Sequence, residues 1–541
     1  MPLTPTQALA AALLPTYSDK FDAYFLIAFK TDFADYPQKL QNKPNYAVTL
    51  RLKFEGAPSK RLAEMAQFKS LFTPNSGNLL ATAQLDGMPG QALFFATAEV
   101  MPALLTNLVG LGYVQRIHLA ETPVPNRNPP RNRAKPSTQD AAVPKTAQTK
   151  LLAIIDNGCP FAHEAYRINH NQSRVLTIWD QDELPDFPAS VGRLPQGFGY
   201  GRQVDRAAIN GFVAAGFLNG SPQINESVCY QLAEYEMMSN RATHGSQLLG
   251  LLASSSYSPT LLEHKAQQAP LNDAAASADI VFVQLPRHIL VSQCKGAGER
   301  YFLDGLRYVL NCAGPQTTEI DVVQAYGSDI GAHDGTGFFE QAVASMVQEA
   351  AARGIKFNVV FPTGNSFDDK RHAQANLQNL ALNNTLQWAM PYDSDVPAVC
   401  EFWLNAKDMN GTVAVTPPVF GAAPLIVDLG ENDVKTYPTV NPYFSIAVKV
   451  FATQTQVVIQ ASPSGMPDQN RPIAPVGVWN IVFDVPPVVN PSSQLVIDAY
   501  AEYVGRNEGL PARGVVTHFL SPQGSRFAVQ GSGSIMGSAC G

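Results

Sequence analysis

A parallel α/β sheet with helices on both faces, preceded by an α+β unit and interrupted by an antiparallel β-sandwich, is the architecture this sequence predicts. Three observations predict it. From residue 150, short apolar strands alternate with helices, the pattern of a parallel sheet covered on both sides. Ahead of it, residues 45–122 read strand, helix, strand, strand, helix, strand. After about residue 386 helical spacing stops, and short β-type runs separated by Pro, Gly and Asn take over.

Residues 1–122 are read as the first unit. "NYAVTLRLKF" (45–54) alternates polar and apolar, as a half-buried strand does, and "KRLAEMAQFKSLF" (60–72) has helical spacing. "NLLATAQL" and "QALFFATA" flank the turn "DGMPG", "EVMPALLTNLVGLG" (99–112) is a second helix and "YVQRIHLAE" a last strand. That order is ferredoxin-like. Residues 123–149, rich in Pro, Asn, Arg and Lys, read as an exposed linker. The α/β unit spans 150–385. Its expected strands are "LLAII", "DIVFVQL" (279–285), "EIDVVQAY" (319–326) and "KFNVVF" (356–361). Its expected helices are "THGSQLLGLLASS" (243–255), "YFLDGLRYVLNCAG" and "FFEQAVASMVQEAAARG". Residues 386–522 are read as the inserted sandwich, and 523–541 as an incomplete return to the α/β unit.

Composition narrows the function. Hydrophobic residues make up 45% and charged residues 15% of the chain, a globular balance. A net charge of −7 implies no nucleic-acid footprint. The six cysteines form no CxxC pairs, against a disulfide framework or zinc ribbon. The N-terminus lacks a basic region before its short apolar stretch, which Pro15 is expected to break. No signal peptide is therefore expected, and a cytoplasmic location is. No apolar run reaches the roughly 18 residues a membrane span needs.

The chemistry-bearing residues fall at strand ends. Asp156 closes the first strand of the α/β unit, His244 opens an apolar helix followed by Gly245-Ser246, and Asn365 follows a strand in "VVFPTGNSF". In open α/β sheets, ligands bind at the carboxyl edge of the strands. An aspartate, a histidine and an asparagine on that edge suit acyl transfer: the carboxylate orients an imidazole base, and the amide donates to an oxyanion. Each has a plainer role beside this one. Asp156-Asn157-Gly158 is good turn chemistry, His244 suits a helix cap, and Asn365 after Gly364 suits a left-handed turn. His163 reads as a structural hydrogen bonder, since "HEAYR" lacks the second histidine of HExxH. Cys159 reads as a small buried residue, "GAHDG" (331–335) as a solvated loop at the cleft edge, and "FDDKRH" (367–372) as a charged surface loop.

These stretches resemble the subtilisin-like serine proteases. "AIIDNGCPFAH" is similar to their Asp motif, "THGSQLLGLLA" to their His motif and "VVFPTGN" to the motif carrying the oxyanion Asn. "ADIVFVQLP" and "VVQAYGS" resemble two further stretches, the second lining the substrate cleft. The resemblance covers roughly residues 150–385. It implies a serine endopeptidase acting on peptides or proteins, with His244 as general base, Asp156 as its orienter and Asn365 as oxyanion donor. It implies no cofactor, leaves room for structural calcium without naming ligands, and makes the N-terminal unit an intramolecular inhibitor or chaperone.

The chain departs from the family at several points. Asn157 and Ser246 stand where the family has Ser/Thr and Thr. The Asp156–His244 interval is long, so an inserted loop containing "RVLTIWDQDE" (174–183) and "GYGRQVDRAAIN" is expected. In "GSGSIMGSACG" (531–541), the one candidate for the nucleophile motif, Ile535 aligns with the serine, and Ser534 would need a one-residue shift. The stretch suits the family's small-residue turn better, so Ser532, Ser534 and Ser538 read as turn residues and the nucleophile is expected beyond residue 541, with Ser534 a weak candidate. A catalytically inactive peptide-binding scaffold is the rival reading. A metal-dependent α/β hydrolase is a third, without a convincing ligand cluster.

Overall fold

The computed structural model describes residues 3–34, 36, 45–73, 77–82, 93–120, 140–182, 191–217, 223–238, 242–255, 274–292, 297–363, 369–376, 385–394, 396–407, 409–465, 472–485, 495–502 and 517–520. It is a mixed α/β structure with several sheets. The chain opens with two helices, α1 (Pro5–Tyr17) and α2 (Ala23–Lys30). Pro15, which interrupts the apolar stretch, lies within α1. It lies in the last turn, where the acceptor its missing N–H leaves free is the carbonyl of Ala11, on an exposed residue.

Four strands follow: β1 (Tyr46–Lys53), β2 (Gly77–Thr82), β3 (Leu93–Val100) and β4 (Val114–Leu119), with helices α3 (Pro58–Ser70) and α4 (Pro102–Gly110). The sheet order is β2-β3-β1-β4. One face buries Val48, Leu50 and Leu52 against Phe68 of α3, Leu105 and Leu108 of α4, and Phe25 and Phe29 of α2.

The central sheet holds β5 (Lys150–Asp156), β6 (Val175–Asp180), β7 (Arg202–Asp205), β8 (Asp279–Gln284), β9 (Glu319–Gln324) and β10 (Lys356–Val360), in the order β7-β6-β8-β5-β9-β10. All neighbours are parallel except the edge strand β7. Its longer helices are α5 (Arg206–Ala215), α6 (Glu226–Leu232), α7 (His244–Ala253), α8 (Ala297–Asn311) and α9 (Phe338–Ala352), with short ones at Ala274–Ser277 and Arg287–Ser292. Leu151, Ala153 and Ile155 of β5 pack toward α8 and α9, whereas Leu152 and Ile154 pack toward α5, α6 and α7. Burial on both faces explains why "LLAII" shows no alternation. Residues 174–183 are not the inserted loop the sequence suggested. Val175–Asp180 is a wholly buried strand of the sheet interior, and Arg202–Asp205 pairs with it.

Two antiparallel sheets face each other between His372 and Leu520. One contains β11 (His372–Asn376), β13 (Ala398–Leu404), β16 (Asp433–Tyr437), β17 (Phe444–Val450), β18 (Thr455–Ala461) and β20 (Val496–Ala501). The other contains β12 (Thr385–Met390), β14 (Thr412–Thr416), β15 (Leu425–Asp428), β19 (Gly477–Asp484) and β21 (His518–Leu520). Trp388, Trp479, Phe402 and Phe483 fill the space between them. The first of these strands starts at His372, ahead of the expected residue 386. It draws in part of the stretch read as a charged surface loop: Arg371 is buried in an ion pair with Asp329, and His372 bonds Asp498 at 3.1 Å.

The N-terminal unit touches both others. Its second sheet face lies on α8 and α9, through Phe95 on Phe338 (5.1 Å between centroids), His118 on Phe338 (4.2 Å) and the Thr97–Asp304 hydrogen bond. Meanwhile α2 packs on the sandwich, where Ala23 and Ile27 cover Val399, Ala447 and Val458, and Tyr24 donates to Glu401 at 2.6 Å.

Candidate active site

The parallel strands β5, β6, β8, β9 and β10 all end at one edge, and a polar network occupies it. Asp156, the last residue of β5, is fully buried. Beyond it the chain must turn at once, and Gly158 does so at φ +71, where an added Cβ would lie 2.4 Å from the Thr243 hydroxyl oxygen. Thr243 caps α7 and forms a capping box with Ser246. The same hydroxyl donates to the carbonyls of Asn157 (2.9 Å) and Gly158 (3.1 Å). Gly245 N–H donates in turn to the Asn157 side chain at 3.0 Å. An added Cβ at Gly245 would sit 2.2 Å from the Asn157 carbonyl oxygen, so only glycine permits this approach.

That close seam delivers His244, the first residue of α7, to Asp156. The imidazole Nδ1 lies 2.9 Å and 3.1 Å from the two carboxylate oxygens, one of which also accepts from Asn157 N–H at 2.6 Å. The His244 side chain remains 55% exposed while Asp156 is sealed, so the imidazole presents its far nitrogen outward. Among the described residues, Nε2 has no hydrogen-bond partner. The hydrogen bond that His244 donates to Asp156 raises the pKa of the imidazole above its ordinary 6.5, against an opposing effect of burial. Burial raises that of Asp156, and the bond to His244 offsets part of the rise. Tyr326, just past the end of β9, packs its ring edge-to-face on His244 at 5.5 Å.

The network continues through the neighbouring strand ends. Gln284 of β8 accepts from Gly158 N–H (3.3 Å) and donates to Asp180 of β6 (3.0 Å), which lies 3.5 Å from Arg202. Sequence reasoning does not single out Asp180, Gln284, Asn157 or Thr243 as site residues, although the strand-end rule that selects Asp156 applies equally to Asp180 and Gln284; Tyr326 lies in "VVQAYGS", the stretch whose resemblance implied the cleft.

The structure therefore brings Asp156 and His244 together. Asn365 and Ser534 lie outside the described residues, as do Ser532 and Ser538. His163 is exposed and caps a short 3-10 turn by accepting from Ala165 N–H at 3.2 Å, and Cys159 is buried. In "GAHDG", His333 stacks on Tyr500 at 4.3 Å, so this loop leans on the sandwich. Among the described residues, no group of three or more His, Cys, Asp or Glu is placed to hold a metal ion. No described helix is long and apolar enough to cross a membrane.

No family model matches the chain, and neither does any curated protein. Among solved structures, the chain is similar to the Clostridium perfringens CspB protease, with a TM-score of 0.45 and 14% identity over 70% of this chain and 66% of that one. The chain thus spans slightly less than two thirds of that structure's length.

Proposed function

We propose that the chain is a peptidase of the subtilisin-like kind, working through a serine nucleophile. The observation that supports it is the 2.9 Å contact between a buried aspartate and a half-exposed histidine at the carboxyl edge of a parallel sheet. In this reading Asp156 fixes the tautomer with Nδ1–H toward itself, which leaves Nε2 to accept the serine proton. The serine oxygen adds to the scissile carbonyl, Asn365 donates to the oxyanion that forms, and the imidazolium returns its proton to the leaving amine. Water then repeats the sequence on the acyl-enzyme. The N-terminal unit, lying on α8 and α9, acts as an intramolecular chaperone or inhibitor.

A tagged fluorophosphonate tests this. On a chain extended past residue 541, labelling of one serine, identified by mass spectrometry and abolished by His244→Ala, is the expected result, whereas labelling of residues 1–541 alone would place the nucleophile within them. The second reading is a non-catalytic peptide-binding scaffold that uses the same strand edge. Absence of labelling and of peptide cleavage, with peptide binding retained, would establish that reading instead.

A further inference from the structure

Where the N-terminal sheet, the α/β unit and the sandwich meet, they enclose a cavity of about 790 Å³. It runs from Tyr326, beside His244, to Lys449 of β17. Phe21, Tyr24, Phe338, Trp403 and Phe451 give it apolar walls. Its cations are unusual in their placement. Arg51 of β1 and Arg116 of β4 are register partners, so two like charges stand directly opposite on one sheet face. Such a pair repels unless something neutralises it. Lys449, with no exposed surface, reaches the same cavity from the sandwich.

None of the three forms a direct ion pair with a carboxylate among the described residues, although Asp19 attracts Arg116 and Lys449 from farther off, and Asp22 attracts Lys449. Arg51 donates to Gln341 Oε1 at 3.1 Å, and its buried Nε has no partner. Arg116 donates to the Asp19 carbonyl, and Lys449 to the carbonyls of Ser18 (2.7 Å) and Asp19 (3.3 Å). Asp22, Glu299 and Glu340 also line the cavity. Asp22, however, is committed to capping α2 through Phe25 N–H and to Leu119 N–H. Burial first, and then Arg116, push Lys449 down to about 7 and lower Arg51 as well, as expected for cations crowded out of water.

We infer that this cavity binds a small amphipathic anion: a carboxylate, sulfonate or phosphate ester carried on an apolar or aromatic body. Its acidic head sits between Arg51, Arg116 and Lys449, and its body lies along the aromatic wall. A charge-assisted contact to arginine is the geometry the paired guanidinium groups lack. Because all three units line the site, an occupant stabilises their junction by mass action. The inference does not rest on the peptidase reading.

The test uses the full chain with two probes of similar shape, 8-anilinonaphthalene-1-sulfonate and the uncharged N-phenyl-1-naphthylamine, titrated by fluorescence. The sulfonate is expected to bind about tenfold more tightly than the neutral probe and to raise the melting temperature. Arg116→Gln and Lys449→Met should each remove that advantage while leaving neutral-probe affinity unchanged. Should either variant fail to give a cooperative melt, Arg51→Gln provides the same comparison. Equal affinity of the two probes, or a sulfonate preference that survives all the folded variants, would overturn the proposal.

Discussion

At the scale of single residues, the seam between Asn157 and Gly245 governs the site. Gly245→Ala drives a Cβ into a backbone oxygen that has no room to yield, so it should destabilise the α/β unit by about 1–3 kcal/mol and displace His244. Denaturant midpoints together with peptide turnover would reveal both effects. In the proposed peptidase, Asp156→Asn would keep the shape but lose the tautomer control, and a fall in kcat of about 10⁴ is expected. Asn365→Ala should cost about 10²–10³. The pH profile carries a sign. Because Asp156 raises the pKa of His244, the imidazolium persists above pH 6.5 and the free base is lost as pH falls through that raised value. The acid limb of kcat/KM should therefore lie above 6.5, and Asp156→Asn should move it downward. The same bond contributes stability that is complete below pH 6.5 and fades as pH rises through the raised value. An acid limb in the wild-type chain at or below 6.5 would contradict the assigned partnership.

At the scale of elements, the contrast between β5 and α2 shows what sequence can tell. The run "LLAII" ending on Asp156 is legible because a five-residue apolar stretch that closes on a carboxylate, within an α/β pattern, marks the edge where a buried strand meets a site. The pairing of Asp156 with His244 is legible for the same reason, since both sit at element ends. By contrast α2, "AYFLIAFK", has no polar face. It is buried on one side by Phe21 and Tyr46 and on the other by Val399 and Val458, so no amphipathic period marks it as a surface helix. The strand β6 escapes sequence reasoning because a motif interval argues for a loop there, although every one of its residues is buried. Two interface contacts give element-scale tests. Phe338→Ala removes the ring on which Phe95 and His118 rest, and should cost about 3–5 kcal/mol at the first unfolding transition. Tyr24→Phe removes the hydroxyl that donates to the buried Glu401, at about 1–3 kcal/mol. Calorimetry should show both substitutions acting on the transition that releases the N-terminal unit.

At the scale of the whole molecule, three units are joined by contacts far apart in sequence. Removing residues 1–31 should bare the sandwich face formed by Val399, Trp403, Ala447 and Val458, and light scattering should then register self-association. The length of those connections also bears on synthesis. Lys449 reaches back 431 residues to the Ser18 carbonyl, and Glu401 reaches back 377 to Tyr24. At roughly 5–20 residues per second, a ribosome needs on the order of 20–90 seconds to deliver the partner strand after the helix has emerged. Throughout that interval the side of α2 that carries Ala23 and Ile27 is an apolar nascent surface whose cover on the sandwich does not yet exist. If that face is shielded in the meantime, ribosome profiling of bound chaperones should find their occupancy highest before β17 and β18 have left the exit tunnel.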